Sequence, residues 1–126
     1  MQYTFIEEPE LSTFYNVKNS LPMINKANEL GFEFSSWMMY ISEKDSDGNV
    51  LTRFEHESKD GKIEAQDGAK TIDVEVEIYG WPKENGRVNY NKKQKIGTFV
   101  IKDIPLSEIN NTTLELTDNM QYEFVR

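Results

Sequence analysis

The residues with the most chemistry in this chain lie in TIDVEVEIYGW, residues 71–81. Asp73, Glu75 and Glu77 are spaced two apart, and Tyr79 and Trp81 continue the same interval. Side chains alternate across a strand, so three carboxylates and a phenol share one face, successive groups about 6.6–6.8 Å apart. Ile72, Val74, Val76 and Ile78 take the other face. Such a row can simply solvate the outer side of an antiparallel strand and discourage edge pairing. It can also present ordered negative charge to a basic protein, as nucleic-acid-mimicking inhibitors do. On that second reading Asp73, Glu75, Glu77, Tyr79 and Trp81 form the first candidate binding set.

A second candidate set is aromatic: Trp37, Tyr40, Trp81 and Tyr90 could line a pocket or stacking face for a sugar or a peptide. In WMMYI, Trp37, Met39 and Ile41 share one face and Met38 and Tyr40 the other. Apolar residues on both faces predict a strand covered on both sides, or one that exposes a sticky patch. Trp81, just past the predicted strand end, is expected to plug the end of the core. GRVNYNKKQK joins basic residues to Tyr90, a local pattern seen in single-strand nucleic-acid binders. The plainer reading is a solvated hairpin tip.

Other chemistries are poorly supplied. EKDSDGNV resembles a calcium loop with Glu43, Asp45 and Asp47 at positions one, three and five, but Phe54 stands where a bidentate Glu is needed. It reads as a hairpin turn, and no metal is expected. His56 is the only histidine; it builds no histidine-rich metal site and belongs to no nucleophile motif. Its expected place is the solvent side, beside Glu55 and Glu57. Twenty-two acidic residues make some glycosidase-like carboxylate pair inevitable, so such pairs are uninformative. The glycines are dispersed as turn residues rather than gathered in a phosphate loop, and no cofactor is expected.

Charge narrows the partners. Fourteen basic against twenty-two acidic residues give a net charge of −8, which opposes duplex nucleic acid and anionic lipid. Cysteine is absent, which excludes disulfides and thiolate chemistry. The start, MQYTFIEEPE, has neither the basic nor the apolar region of a signal peptide, and the longest apolar run, WMMYI, is far short of the roughly 20 residues that span a bilayer. A soluble, cytoplasmic protein is the expectation.

The elements that must position these residues are mostly strands. QYTFI predicts a first strand; residues 11–19 fit helix or strand equally. Residues 22–30 predict one helix, capped by Ser20 and stopped by Gly31, with Met23, Ile24, Ala27 and Leu30 buried. FEFSSWMMYIS predicts a long strand bulged at Ser35–Ser36, with VLTRFEHE as its hairpin partner. KIEA is a short edge strand or a mobile loop. The 71–81 strand should end at Gly80 and Pro82, followed by strands RVNYN and KIGTFVIKDI, a helical turn in PLSEIN, and a closing hairpin of TTLELT with MQYEFVR. The whole predicts one mainly β domain, residues 1–126, α+β with one short helix: an antiparallel β-sandwich or open barrel, the helix on one end or face. A single curved sheet wrapped around the helix is the alternative.

The function expected from these features is a small non-catalytic binding or adaptor protein acting through an acidic β-surface. An inhibitor or immunity-type protein against a basic protein is its sharpest form. A small-ligand β-module using the aromatic residues is the alternative, and a carboxylate-dependent enzyme comes third.

Overall fold

A computed structural model of the chain describes residues 12–59 and 61–126. The predicted first strand, QYTFI, lies outside the described residues. In chain order the elements are β1 (Phe14–Asn19), α1 (Met23–Glu29), β2 (Phe32–Lys44), β3 (Val50–Glu55), β4 (Ile63–Glu64), β5 (Thr71–Glu84), β6 (Arg87–Val88), β7 (Gln94–Pro105), α2 (Leu106–Ile109), β8 (Thr112–Leu116) and β9 (Glu123–Val125). The ambiguous segment before α1 is therefore a strand.

Strict alternation makes β5 the centre of the molecule. Ile72, Val74, Val76 and Ile78 are all 1% exposed or less. Burying four such side chains contributes about 1.5–3 kcal/mol each, enough to commit this face to a core. β5 pairs antiparallel with β2 on one side and β7 on the other, in a large sheet ordered β3-β2-β5-β7-β9 with β6 attached to the far end of β5. A small sheet, β4-β1-β8, supplies Tyr15, Val17 and Leu116 to the same apolar cluster. Two packed sheets form the mainly β, sandwich-like α+β arrangement that the strand pattern predicts.

Local features show why the chain takes this path. β2 shifts register between Phe34 and Ser36, at the predicted bulge. Gly31 has φ +82, a left-handed conformation that ends α1 and turns directly into β2. β5 does not stop at Gly80. That residue is buried where a Cβ would lie 2.2 Å from the Glu33 carbonyl oxygen, so glycine is what lets the strand continue past the β2 bulge to Glu84.

Several expectations are corrected. α1 carries no side-chain cap; Ser20 instead hydrogen-bonds Glu115 at 2.8 Å. Ala27 is fully buried, Met23 and Leu30 are half-buried, and Ile24 is 60% exposed. A helix of seven residues presents too narrow a face to bury all four. RVNYN contracts to the two-residue β6, leaving Tyr90 in a turn. The two C-terminal strands are not a hairpin: β8 runs parallel to β1 in the small sheet, and β9 pairs with β7 in the large one. His56 is 5% exposed, not solvated. Residues two apart on a strand share a face, so His56 follows Phe54 inward; its Nε2 lies 2.9 Å from Asn16 Oδ1.

Candidate functional site

The face of the large sheet opposite the core contains the first candidate set. Cross-strand register places its rows. Ser36 and Lys95 flank Tyr79; Met38 and Thr98 flank Glu77; Tyr40 and Val100 flank Glu75; Ser42 flanks Asp73. Beyond these, Arg53 and Glu55 on β3 oppose Ser42 and Tyr40, while Val125 and Glu123 on β9 oppose Thr98 and Val100. The large side chains in the middle of this face are half-buried, shading one another while remaining open to solvent.

The carboxylate row is not a naked stripe. Each member has a cation from another strand: Asp73 with Lys44 at 2.9 Å, Glu75 with Arg53 at 3.0 Å, and Glu77 with Lys95 at 3.2 Å. Register explains the choice. Arg53 reaches over β2 from β3, in the row of Ser42 and Asp73 and one row from Glu75, and Lys95 is directly opposite Tyr79, one row from Glu77. Tyr79 O–H also donates to Glu77 at 2.9 Å; burial and that carboxylate push the phenol up to about 12. The Arg53 guanidinium lies 4.3 Å from the centre of the Tyr40 ring, a cation–π contact across the same rows.

Asp73 has a second task. The N–H of Asp103 donates to its Oδ1 at 2.9 Å, where β7 shifts register and Asp103 takes φ +59. Lys44 closes the group by reaching Asp103 at 2.5 Å, only 12% of its side chain being exposed. Hydrogen bonds that Lys44 donates to the two carboxylates hold the lysine above its ordinary range, and the lysine holds Asp103 below the usual carboxylate range. Asp73 therefore organises a bulge as well as facing solvent.

The unpaired acids stand at the margins. Glu33, Glu55 and Glu123 fall on this face by register, are exposed, and have no ion-pair partner among the described residues. Beside Val100 the face falls into a trough of about 620 Å³, also lined by Lys102, Met120, Tyr122 and Glu123.

The aromatic set is divided by the sheet. Tyr40 and Trp81 lie on the uncovered side, whereas Trp37 alternates with Met38 and points to the core side. Trp81 therefore plugs no core; it meets Tyr90 edge-on, ring centres 5.0 Å apart, with Tyr90 65% exposed. That pair is held by a tight turn, Asn85 at φ +52 and Gly86 at φ +77, and by the Asn89 N–H to Pro82 carbonyl bond of 2.9 Å. In the same tip Lys92 is ion-paired with Glu84, while Arg87 and Lys93 are exposed, with no ion-pair partner among the described residues.

The calcium-like turn is occupied by its own backbone. Asp45 Oδ1 accepts from the N–H groups of Asp47 and Asn49, both at 2.9 Å, and those bonds hold its carboxyl below the ordinary range. Glu43, its would-be first ligand, points the other way, into the core. There it is 1% exposed, accepting from the Tyr15 hydroxyl and from the Gln66 N–H at 2.8 Å. The phenol is raised by burial and by the carboxylate beside it. No group of three histidines or acids suited to a metal occurs among the described residues. No helix among them is long and apolar enough to cross a membrane.

The cations that complete the face, Lys44, Arg53 and Lys95, were not visible as partners in the sequence, because pairing them needs the strand register. Only Arg53 carried a signal, standing two residues before Glu55 in a strand of the same hairpin. Comparison with protein families, curated proteins and solved structures gives no match for this chain.

Proposed function

We propose that this protein is a small non-catalytic binding module that engages a protein partner through the uncovered face of its large sheet. The observation that carries the reading is the make-up of that face. Met38, Tyr40, Tyr79 and Val100 are half-buried, and ion pairs between strands of the sheet fix the charges among them. A rigid mosaic of aromatic, aliphatic and paired polar groups is what specific protein surfaces offer at low ordering cost. Its sharpest form is an inhibitor or immunity-type protein with a basic target. The ion pairs then confine the attraction to the rim acids Glu33, Glu55 and Glu123, while the paired centre supplies contact area.

The test uses the chain as bait in its host lysate, with two variants whose folding is checked by circular dichroism. Val100→Glu puts a charge on the uncovered face; Thr113→Glu puts one on the exposed β8, in the small sheet. A partner held by wild type and by Thr113→Glu, but weakened about tenfold or more by Val100→Glu, supports the reading. Equal loss or equal retention by both variants refutes it.

The small-ligand alternative rests on one feature, the exposed Tyr90 ring backed by Trp81. Saturable tryptophan quenching by a sugar or short peptide, lost in Tyr90→Ala, would favour it.

A further inference from the structure

Among the described residues, the large sheet is incomplete on one side. β3 pairs with β2 only from Tyr40–Glu55 to Lys44–Val50, and the last bond on that side runs from the His56 N–H to the Met39 carbonyl, 2.9 Å. β2 itself extends back to Phe32, and among the described residues no strand pairs with its N-terminal half on this edge. Alternate residues of an antiparallel strand bond to opposite neighbours, so the Trp37 N–H and carbonyl point to the same open edge as those of Met39.

The notch left where β3 stops is a cavity of about 310 Å³, with Trp37 and Met38 along β2 and Glu55, Glu57 and Lys59 across it, the Lys59 ammonium lying 3.7 Å from Glu57 and leaving Glu55 as the charge unpaired among the described residues. Its two sides differ. Trp37 and Met39 are on the core side of the sheet; Met38 and Glu55 are on the uncovered side. Glu55 is exposed with no ion-pair partner among the described residues, in a chain of net charge −8.

We propose that this notch accepts an extended segment of a partner protein, which adds to β2 as a continuation of β3. The occupant is a strand that alternates basic and apolar residues. Its backbone pairs with Trp37, its basic side chains lie beside Glu55, and its apolar ones pack against the partly exposed Trp37 ring. Main-chain bonds give such an added strand its affinity, and the alternating side chains give it selectivity. A short segment suffices, since β9 holds to the opposite edge through three residues. The inference rests on the reading of the uncovered face as the working surface and assigns the partner's point of attachment.

The probe is a capped hexapeptide of alternating lysine and valine, with alternating glutamate and valine as its counterpart. The basic peptide should bind below about 1 mM and slow exchange of the Trp37 amide at least about tenfold. Glu55→Lys should weaken it about three- to tenfold, and added salt should weaken it further. Ser107→Glu, exposed on α2 at the opposite end of the sheet from Trp37, should leave peptide binding unchanged. Failure to bind at 1 mM, equal binding of the acidic peptide, or protection at another strand edge instead of Trp37 overturns the proposal. A captured partner that is lost with Val100→Glu yet indifferent to Glu55→Lys removes the notch and leaves the face reading standing.

Discussion

Replacing Glu43 separates two explanations of how the small sheet is held to the large one. The carboxylate is 1% exposed and receives two donors, the Tyr15 hydroxyl from β1 and the Gln66 N–H from the segment between β4 and β5. Glu43→Ala strands the Tyr15 hydroxyl in the core and takes the acceptor from the partly buried Gln66 N–H. A buried unsatisfied donor costs about 1–3 kcal/mol, so the variant should lose at least about 1–3 kcal/mol before any cavity effect. That is a large share of the roughly 5–15 kcal/mol by which domains are stable. Glu43→Gln behaves differently. Its carbonyl can accept the Gln66 N–H while its amide faces the Tyr15 oxygen, so it fills the same space, keeps one of the two bonds and removes a buried charge, leaving only the hydroxyl proton without an acceptor. It should cost at least about 1 kcal/mol less than Glu43→Ala near neutral pH. Urea unfolding followed by circular dichroism measures both. Tyr15→Phe combined with each Glu43 variant completes a cycle, in which the phenyl substitution should cost less once Glu43 is already alanine. The reasoning fails if Glu43→Ala unfolds within about 1 kcal/mol of wild type, or if Glu43→Gln is as damaging as Glu43→Ala. The second result would mean that the charge, and not hydrogen-bond satisfaction, holds the sheets together.

Three further outcomes follow from particular contacts. A Cβ on Gly97 would lie 2.4 Å from the Phe124 ring, so Gly97→Ala should destabilise by about 1–3 kcal/mol and Phe124→Leu should recover part of the loss, read by thermal melting. Asp103 is held below its ordinary value by Lys44, so its pairing stabilises the fold above the unfolded carboxylate pKa and is lost as pH falls through the lower folded value. Lys44→Met should flatten that acid limb in a pH series of melts; an unchanged limb would show that the pair does not contribute. Tyr79 is pushed up to about 12 in the folded chain, so its contribution is intact below the unfolded value of 10.0 and declines between there and about 12. Ultraviolet titration should show one late-ionising phenol lost in Tyr79→Phe, and a Tyr79 that ionises near its unfolded value would contradict the Glu77 bond.

What the sequence made legible was whatever depends on local period. The alternation of residues 71–79, the bulge at Ser35–Ser36, the stop at Gly31 and the helical turn at Leu106–Ile109 are all local, and all are found. Pairing between distant segments was not legible. TTLEL and MQYEFVR are close in sequence with a turn between them, yet each gains more by joining a different existing strand, β1 or β7. The same reason hid the ion pairs of the acidic row, since a carboxylate's partner depends on the register of two other strands. Glu43 was hidden differently. An acid at a core-facing position breaks the binary pattern, and only the donors brought to it by β1 and the Gln66 backbone make that burial tolerable. His56 was readable, because it keeps the parity of Phe54.

Hydroxyl-radical footprinting of the protein with and without its captured partner tests the central claim most directly, because methionine and tyrosine side chains report their own contact. Met38, Tyr40 and Tyr79 should be protected, with exposed Ile24 on α1 unchanged. Protection confined to Ile24 or the small sheet, with Met38, Tyr40 and Tyr79 as reactive as in the free protein, would contradict it.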